Sequence, residues 1–482
     1  MDHPSIQAGA QIEAAAPQLR TLDAMLEDMR NMPPPDPRRP EKVIPIRPTM
    51  PAEGPTGEKP LEFNVQAGLQ PRLPVIQLGP NIPGATHEGE PAFPHGAIGL
   101  NHFVEATVHQ ISIFPRSNPT LRTRIPLGAF FGHPTWYANE PRVVYDSTWN
   151  RWVVTADAFD PADPLIRRWQ LLAVSTGSNA FGPYWTYTLN IIPIPGGFYG
   201  FVQLGMDQNA IIMTADLYTL AGYQGAEMFA VAKTSLYNGM GFSVPLFTGL
   251  RGPLAPPIVL DHNPKTFLVS APTGRGNSLN LYTLTDSSRP SAIKLTGPVA
   301  IPVPDYVAPP PAPQPDTSWL DTHDGRFINA STQTGDFLWQ VHTINYVGYA
   351  APKFYQINTA TNTVVRSNFF YATATSYDFN ASITANSDND VFVTWSMTDP
   401  ARGTFVQVRY SGFDHNDGSS YELGPGAVAY TSPTFKYVVE WGYSAVTLDP
   451  RNSRRAWLVN EDIVEGHTWG TRIVGIGFGF IP

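Results

Sequence analysis

Along much of this chain, short apolar runs come in pairs split by a polar turn. Residues 141–156, PRVVYDSTWNRWVVTA, show the form: an apolar run, an Asp-containing turn and a second apolar run closed by Thr. GAIGLNHFVEAT (96–107), FVQLGMDQNAIIMTA (201–215), PIVLDHNPKTFLVSA (257–271), NASITANSDNDVFVTWS (380–396) and YSAVTLDPRNSRRAWLVNE (443–461) repeat it, and DGRFINASTQTGDFLWQVHT (324–343) is a longer version. The starts fall 45, 60, 56, 67, 56 and 63 residues apart. Each copy reads as a hairpin with a turn rich in Asp, Asn and Gly. Further strand-like stretches follow, such as WQLLAVSTG (169–177) and FVQVRYSGF (405–413). Three or four strands per copy at this period predict an all-β fold, a seven-bladed β-propeller, with six blades also compatible. A lone hairpin cannot cover its apolar face, whereas units stacked around an axis can. The first run is then the innermost strand, and the Asp is first of all a turn residue whose side chain bonds nearby backbone N–H groups. The proline-rich stretch PVAIPVPDYVAPPPAPQPDTSW (298–319) is expected to form no strand and to lie on the surface.

The first 95 residues follow other patterns. Ile12, Ala15, Leu19, Leu22, Leu26 and Met29 step by three and four, which predicts an amphipathic helix over residues 1–30, weakened at its start by Pro17. Its seam either packs on the chain's own body or makes an oligomer through Ile12, Leu19, Leu22, Leu26 and Met29. Residues 31–60 read as an extended proline-rich arm, held in place by the chain itself or by a neighbouring subunit of a larger assembly. The propeller takes 61–482, with LEFNVQAGL (61–69) as the candidate strand that closes the ring.

Composition narrows the picture. With 49 Pro, 40 Gly and nearly as many aromatic as charged residues (12% against 15%), turns and strands are favoured over helices. A net charge of −9 argues against a nucleic-acid partner, since phosphate contacts need a basic surface. The absence of cysteine rules out disulfides, thiolate metal sites and a thiol nucleophile. No apolar run approaches 18 residues, and the N-terminus has no basic region followed by an apolar one, so neither a membrane span nor an ordinary signal peptide is read.

Several segments carry a resemblance: HGAIGLNHFVEAT (95–107), YDSTWNRWVV (145–154), DGRFINAS (324–331), FLWQVHT (337–343), DFNASITANSDNDVFVTWS (378–396), WGYSAVTLDP (441–450), WLVNE (457–461) and WGTRI (469–473). Through them the chain from about 93 to 480 resembles bacterial secreted proteins of unassigned function, whose propeller is related in architecture to sialidase-like propellers. The resemblance implies the fold and an extracellular or surface setting, and no activity. The missing signal peptide and the N-terminal extension depart from that group and fit a surface or virion-like particle component equally well.

In a propeller, the loops that enter inner strands and those that leave second strands open on one face, at the axis mouth. That face is expected to carry Glu140, Arg142, Asp157, Asp216, Asp324, Arg326, Asp378, Trp441, Tyr443 and Glu461, with His323 and Asn460 beside them. Aromatic faces and polar groups in such a ring suit a sugar; inter-blade hydrogen bonding is the plainer role. A glycoside hydrolase needs two carboxyl groups roughly 5–10 Å apart, for which Asp157, Asp216 and Glu461 are the candidates. A sialidase would use an arginine trio (Arg142, Arg326, Arg472) with Tyr443 and Glu461, but the Ser-x-Asp-x-Gly-x-Thr-Trp turn of that class is missing. The oxygen-rich turns at 261–264, 321–325, 386–390 and 413–418 leave a structural Ca2+ open, without a complete Ca2+ loop. No cofactor, catalytic metal, phosphate loop or G-x-S-x-G motif is read. The expected function is a non-catalytic binding or structural propeller presenting a rigid face. The alternative is a polysaccharide-acting hydrolase or lyase at the axis mouth.

Overall fold

The computed structural model describes residues 5–32, 55, 57–60, 75–87, 91–163, 168–191, 197–259, 261–415, 422–436, 442–465 and 468–479. Its strand pairing divides into successive four-stranded antiparallel sheets, numbered here in chain order. Sheet 1 runs His95–Ile98, His102–Thr107, Gln110–Pro115, Thr123–Pro126. Sheet 2 is Tyr137–Asp146, Arg151–Phe159, Arg168–Ser175, Tyr184–Leu189. Sheet 3 is Phe198–Met206, Ala210–Thr219, Gly222–Ala232, Phe242–Leu250. Sheet 4 is Leu254–Ala255, Thr266–Ser270, Arg275–Thr285, Lys294–Val307. Sheet 5 is Ser331–Thr334, Phe337–Tyr346, Tyr349–Asn358, Thr363–Phe369. Sheet 6 is Tyr377–Ala385, Val391–Asp399, Thr404–Phe413, Ala427–Thr431. Sheet 7 takes Ser444–Asp449, Asn452–Val464 and Thr468–Phe478 from the C-terminus and Val75–His87 from the N-terminus.

The innermost strands touch their neighbours in order, and the strand of sheet 7 meets that of sheet 1, so the sheets close into a ring. The fold is an all-β propeller. Six of the seven paired apolar motifs supply the first two strands of a sheet; in the fourth, Pro257–Val259 pairs in parallel with the inner strands of sheets 3 and 5, and only Thr266–Ser270 joins sheet 4. The core is correspondingly divided. One cluster sits between sheets 1 and 2 (Val104, Ile113, Trp152, Val154), another between 2 and 3 (Val153, Leu172, Ile211, Val231), and so on to 7 and 1 (Phe103, Val459, Ile473).

The turn aspartates do more than turn the chain. Asp146 Oδ1 accepts the Thr148 and Trp149 N–H groups, while its Oδ2 holds Lys233 Nζ and the Tyr237 hydroxyl of sheet 3, each at 2.6 Å. Asp207 Oδ1 accepts Asn209 and Ala210 N–H, and its Oδ2 accepts the Thr266 hydroxyl of sheet 4. Asp449 Oδ1 accepts Arg451 N–H, and its Oδ2 pairs with Arg116 of sheet 1. Asp261 reaches Gly335 N–H of sheet 5, and Asp390 reaches Arg454 of sheet 7. One carboxylate thus stabilises a hairpin and latches it to the following sheet.

Two expectations are corrected. Residues 1–30 are not one helix: Ala10–Ala14 and Gln18–Arg20 are strands, and only Leu22–Arg30 is helical, capped by the Thr21 side chain on Ala24 N–H. Pro17 separates the two strands, so the three-and-four spacing spans elements that never share a helix face. Ile12 is buried against sheet 3, and Leu22, Leu26 and Met29 pack with Met25 onto sheets 1 and 2; Leu19 is 49% exposed. Ile12, Leu22, Leu26 and Met29 therefore cover the chain's own ring. Second, residues 298–307 do form a strand, the outer edge of sheet 4, where proline costs no ladder hydrogen bond. The ring is closed by an N-terminal strand, Val75–His87; the candidate segment 61–69 lies outside the described residues. Of the proline-rich arm, only 31–32, 55 and 57–60 are described.

Residues 5–20 run along the outside of the ring. Ile6 N–H bonds Leu295 O of sheet 4, Ala10–Ala14 adds to Phe242–Leu250, and Gln18–Arg20 adds to Tyr184–Leu189. They cover strand edges that would otherwise be open to pairing with other chains. A chain lacking residues 1–20 is expected to associate at micromolar concentration, read as a rising mass in light scattering; a monodisperse monomer would show that those edges need no cover. No described helix is long and apolar enough to cross a membrane.

Candidate functional site

At the end of the axis where inner strands begin, several strands are bulged. Register shifts fall between Asn139 and Arg142 in sheet 2, Gly200 and Gln203 in sheet 3, and Phe379 and Ser382 in sheet 6. Each bulge holds a non-glycine residue at positive φ: Glu140 (47°), Phe201 (55°) and Asn380 (52°). Such conformations cost on the order of 1 kcal/mol each and re-aim side chains. Phe93 and His323, in the loops entering sheets 1 and 5, share this property.

The bulges deliver a plug of polar and aromatic side chains onto the axis. Arg142 donates from Nε to Val202 O (2.9 Å), from Nη1 to Asn329 Oδ1 (3.2 Å) and from Nη2 to Ile328 O (3.2 Å), and lies 3.9 Å over the Tyr443 ring. Arg326 forks onto both oxygens of Asp324 (2.7 and 2.6 Å), reaches Asp216 at 3.0 Å, and stacks 3.5 Å over Phe201. Burial raises the carboxyl of Asp324, but Arg326 outweighs it and holds the group below its usual range, so this pair is ionic. Burial drives Asp216 up to about 7 against the pull of Arg326. Burial also raises Glu461 to about 8, although it accepts the Gly442 and Ala92 N–H groups.

Arg142, Asp216, Asp324, Arg326 and Tyr443 therefore come together as the sequence suggests, with Glu140 beside them donated to by Val202 N–H and Glu461 behind Gly442. They do not face solvent: all are buried except Asp324, which is part-exposed. Their charges and donors are spent on one another and on carbonyls, so the expected ligand-binding mouth is closed. Asp157 lies off the axis beside Arg168 (3.9 Å), and Asp378 holds Lys59 (3.3 Å). Trp441 lies outside the described residues. Arg472 sits against Asp462 and Tyr430, away from Tyr443, so no arginine trio forms.

The opening is at the other end. A cavity of about 290 Å3 runs along the axis, lined by the inner-strand ends of sheets 1, 2, 3, 5, 6 and 7 and by Ile258 between sheets 3 and 5. Asn329, held by Arg142, and His95 form its closed end. The exposed turn residues Ser147, Ser387 and Ser453 mark its mouth, on the face of the hairpin turns. Thr332, Ser382, Thr384, Asn386 and Thr447 give it hydroxyls and an amide; Leu204, Met206, Ile258 and Val446 give it apolar wall. Val143 N–H donates to His95 Nδ1 at 3.3 Å, and burial with the nearby Arg142 charge keeps that imidazole neutral. The other titratable lining groups are occupied: Tyr145 donates to Asn150, and Asp449 serves its turn and Arg116. The lining thus holds no pair of carboxyls poised for acid–base work. The Asn-Ala-Ser triplets at 329–331 and 380–382 were the sequence sign of this lining, since small and hydroxylated residues in two inner strands leave room at the axis. Among the described residues no group of three or more His, Asp or Glu could hold a metal ion.

Fold and cavity define the class: a propeller with an axial cavity of largely aliphatic wall set with hydroxyls and an amide. No protein-family model and no curated protein matches the sequence. Solved structures of similar architecture include a protein of unknown function from Dyadobacter fermentans (10% identity, TM-score 0.40, covering 72% of this chain and 96% of that one). They also include a Hadza microbial sialidase (10%, 0.39, 78% and 73%) and an exo-β-1,3-galactanase from Phanerochaete chrysosporium (11%, 0.33, 66% and 80%). Two of these three neighbours are a sialidase and a galactanase, and at such identities the likeness concerns fold alone.

Proposed function

We propose that this chain is a carbohydrate-directed propeller that binds a sugar unit in the axial cavity, as a component of a surface or secreted assembly. The observation that carries this reading is the lining itself. Its volume sits at the small end of the ~300–1,000 Å3 range of small-molecule sites, with hydroxyls and an amide set among aliphatic walls. Such a surface exchanges hydrogen bonds with a neutral hydroxylated ligand without desolvating a charge. The test is calorimetry of the full chain against neutral and acidic oligosaccharides, repeated with Ala330→Phe, which fills the cavity from its part-exposed wall. Saturable binding that weakens at least 100-fold in the variant, with the melting midpoint unchanged, supports the reading. An absence of binding to every glycan, or binding that ignores the variant, overturns it.

A polysaccharide-acting hydrolase is the second reading, favoured by Tyr443 lying over Arg142 with Glu140 nearby and by carboxyls at Asp216 and Glu461 that keep a proton near neutrality. The fold likeness is compatible with either reading. Hydrolysis would require the plug to open, so product release from a polysaccharide that is lost in Tyr443→Phe and retained in Ala330→Phe would select it.

A further inference from the structure

Lys59 takes no part in the axial site, yet it is among the most deeply buried charges of the protein, 2% exposed. Its ammonium donates to Ser376 O, to Ser376 Oγ at 3.3 Å and to Asp378 Oδ2 at 3.3 Å. The rings of Tyr371 and Tyr349 face it at 4.6 and 4.9 Å. The surrounding backbone is held as well: Lys59 N–H donates to Ala374 O at 3.0 Å, and the Tyr371 hydroxyl donates to Pro60 O. The socket is itself braced. Asp378 Oδ1 accepts Trp395 Nε1–H and Ala372 N–H, and Ser376 donates to Asp378. Asp399, accepting the Thr373 and Thr375 hydroxyls, adds negative charge nearby. Burial lowers the basicity of Lys59, and Asp378 acts against that.

Three acceptors matched to the three protons of an ammonium, two aromatic faces and two backbone contacts make a built recognition site. A guanidinium is flat and longer and does not match this set. We infer that the junction of sheets 5 and 6 is a receptor for a primary alkylammonium on an extended Lys-Pro peptide, and that the chain occupies it with its own Lys59–Pro60. The partner of this site is a lysine side chain, and the segment that supplies it here is more than 300 residues away in sequence.

The test uses the full chain with Lys59→Gly. Its melting midpoint is expected to fall by about 3–5 °C, because Asp378 loses its counter-charge in a buried setting. Millimolar n-butylammonium chloride, which supplies the missing side chain, should then restore more than half of the loss saturably. n-Butanol should not, and the wild type should not respond. Lys59→Met keeps the stem but not the charge, so it should melt as low as Lys59→Gly and ignore the amine. The inference is overturned if Lys59→Gly melts with the wild type, if amine and alcohol act alike, or if Lys59→Met responds as Lys59→Gly does.

Discussion

Arg142→Ala is expected to lower the unfolding free energy by about 4 kcal/mol, among the largest effects of any single side chain here. Arg142 belongs to sheet 2, its acceptors to sheets 3 and 5, and the ring beneath it leads into sheet 7. Truncation leaves two carbonyls and the Asn329 amide oxygen buried beside the axis, each costing about 1–3 kcal/mol when unsatisfied, with partial relief from entering water. Arg142→Lys should recover less than half, because one ammonium cannot span three acceptors in this fork. Arg455→Ala, on an exposed side chain, should stay within ~0.5 kcal/mol and serves as the control. The measurement is chemical denaturation followed by tryptophan fluorescence. A midpoint for Arg142→Ala equal to that of the wild type would mean that the plug does not hold the sheets together.

Between pH 6.5 and 8.5 the protein is expected to lose stability steadily. Four buried acids set this limb: three at the junction of sheets 7 and 1, and Asp216 in the axial plug, also raised to about 7. Burial raises Glu105 from 4.5 to about 7, against hydrogen bonds from Thr471 and Ala85. Burial raises Asp462 from 3.8 to about 7, with Arg472 opposing, and raises Glu461 from 4.5 to about 8. The folded state then binds protons that the unfolded chain has already released. Stability from these groups is complete below about pH 4 and is lost as pH rises through 7 to 8. Each acid that still holds its proton in the folded state contributes about 1.4 kcal/mol per pH unit, so the decline is steepest near pH 6.5 and fades above pH 8. His95 and His342, both held neutral by burial, work the other way: their contribution is lost as pH falls below 6.5, which leaves the alkaline window to the acids. Glu105→Gln should flatten the decline by about a quarter and raise the melting midpoint at pH 8. A midpoint that is level or rising from pH 6.5 to 8.5 would contradict the assignment.

Much of the architecture was legible because a hairpin with one turn carboxylate leaves a compact signature, as in Asp146, Asp207 and Asp449. Less local features left no such mark. The bulges at Glu140, Phe201 and Asn380 have no shared residue type, so nothing in the sequence said that the axis would be closed at their end. Arg142 and Arg326 were picked out as charges on the axis, correctly in place. Whether a charge meets solvent or a carbonyl depends on the next sheets, which lie 60 to nearly 190 residues away. Asp157 differs from Asp216, which also stands on a second strand, in its partner: it faces Arg168 of its own sheet and not an arginine on the axis. At the N-terminus, Ile12 and Leu22 satisfied a helical spacing while serving a strand and a helix on different sheets. The segment 298–307 shows the reverse, since its prolines forbid only an interior strand.

The turn carboxylates that reach forward give the ring a direction of assembly. Asp146 waits for Lys233, Asp207 for Thr266, Asp390 for Arg454, each partner arriving later in synthesis than the group that needs it. Only the last, Asp449, turns back to a residue already made, Arg116. A chain that stops after sheet 2, 3 or 6 is one contact short at its leading end, and the last such deficit is cancelled when sheet 7 meets sheet 1. Losing sheet 3, 4 or 7 would leave a carboxylate without its successor.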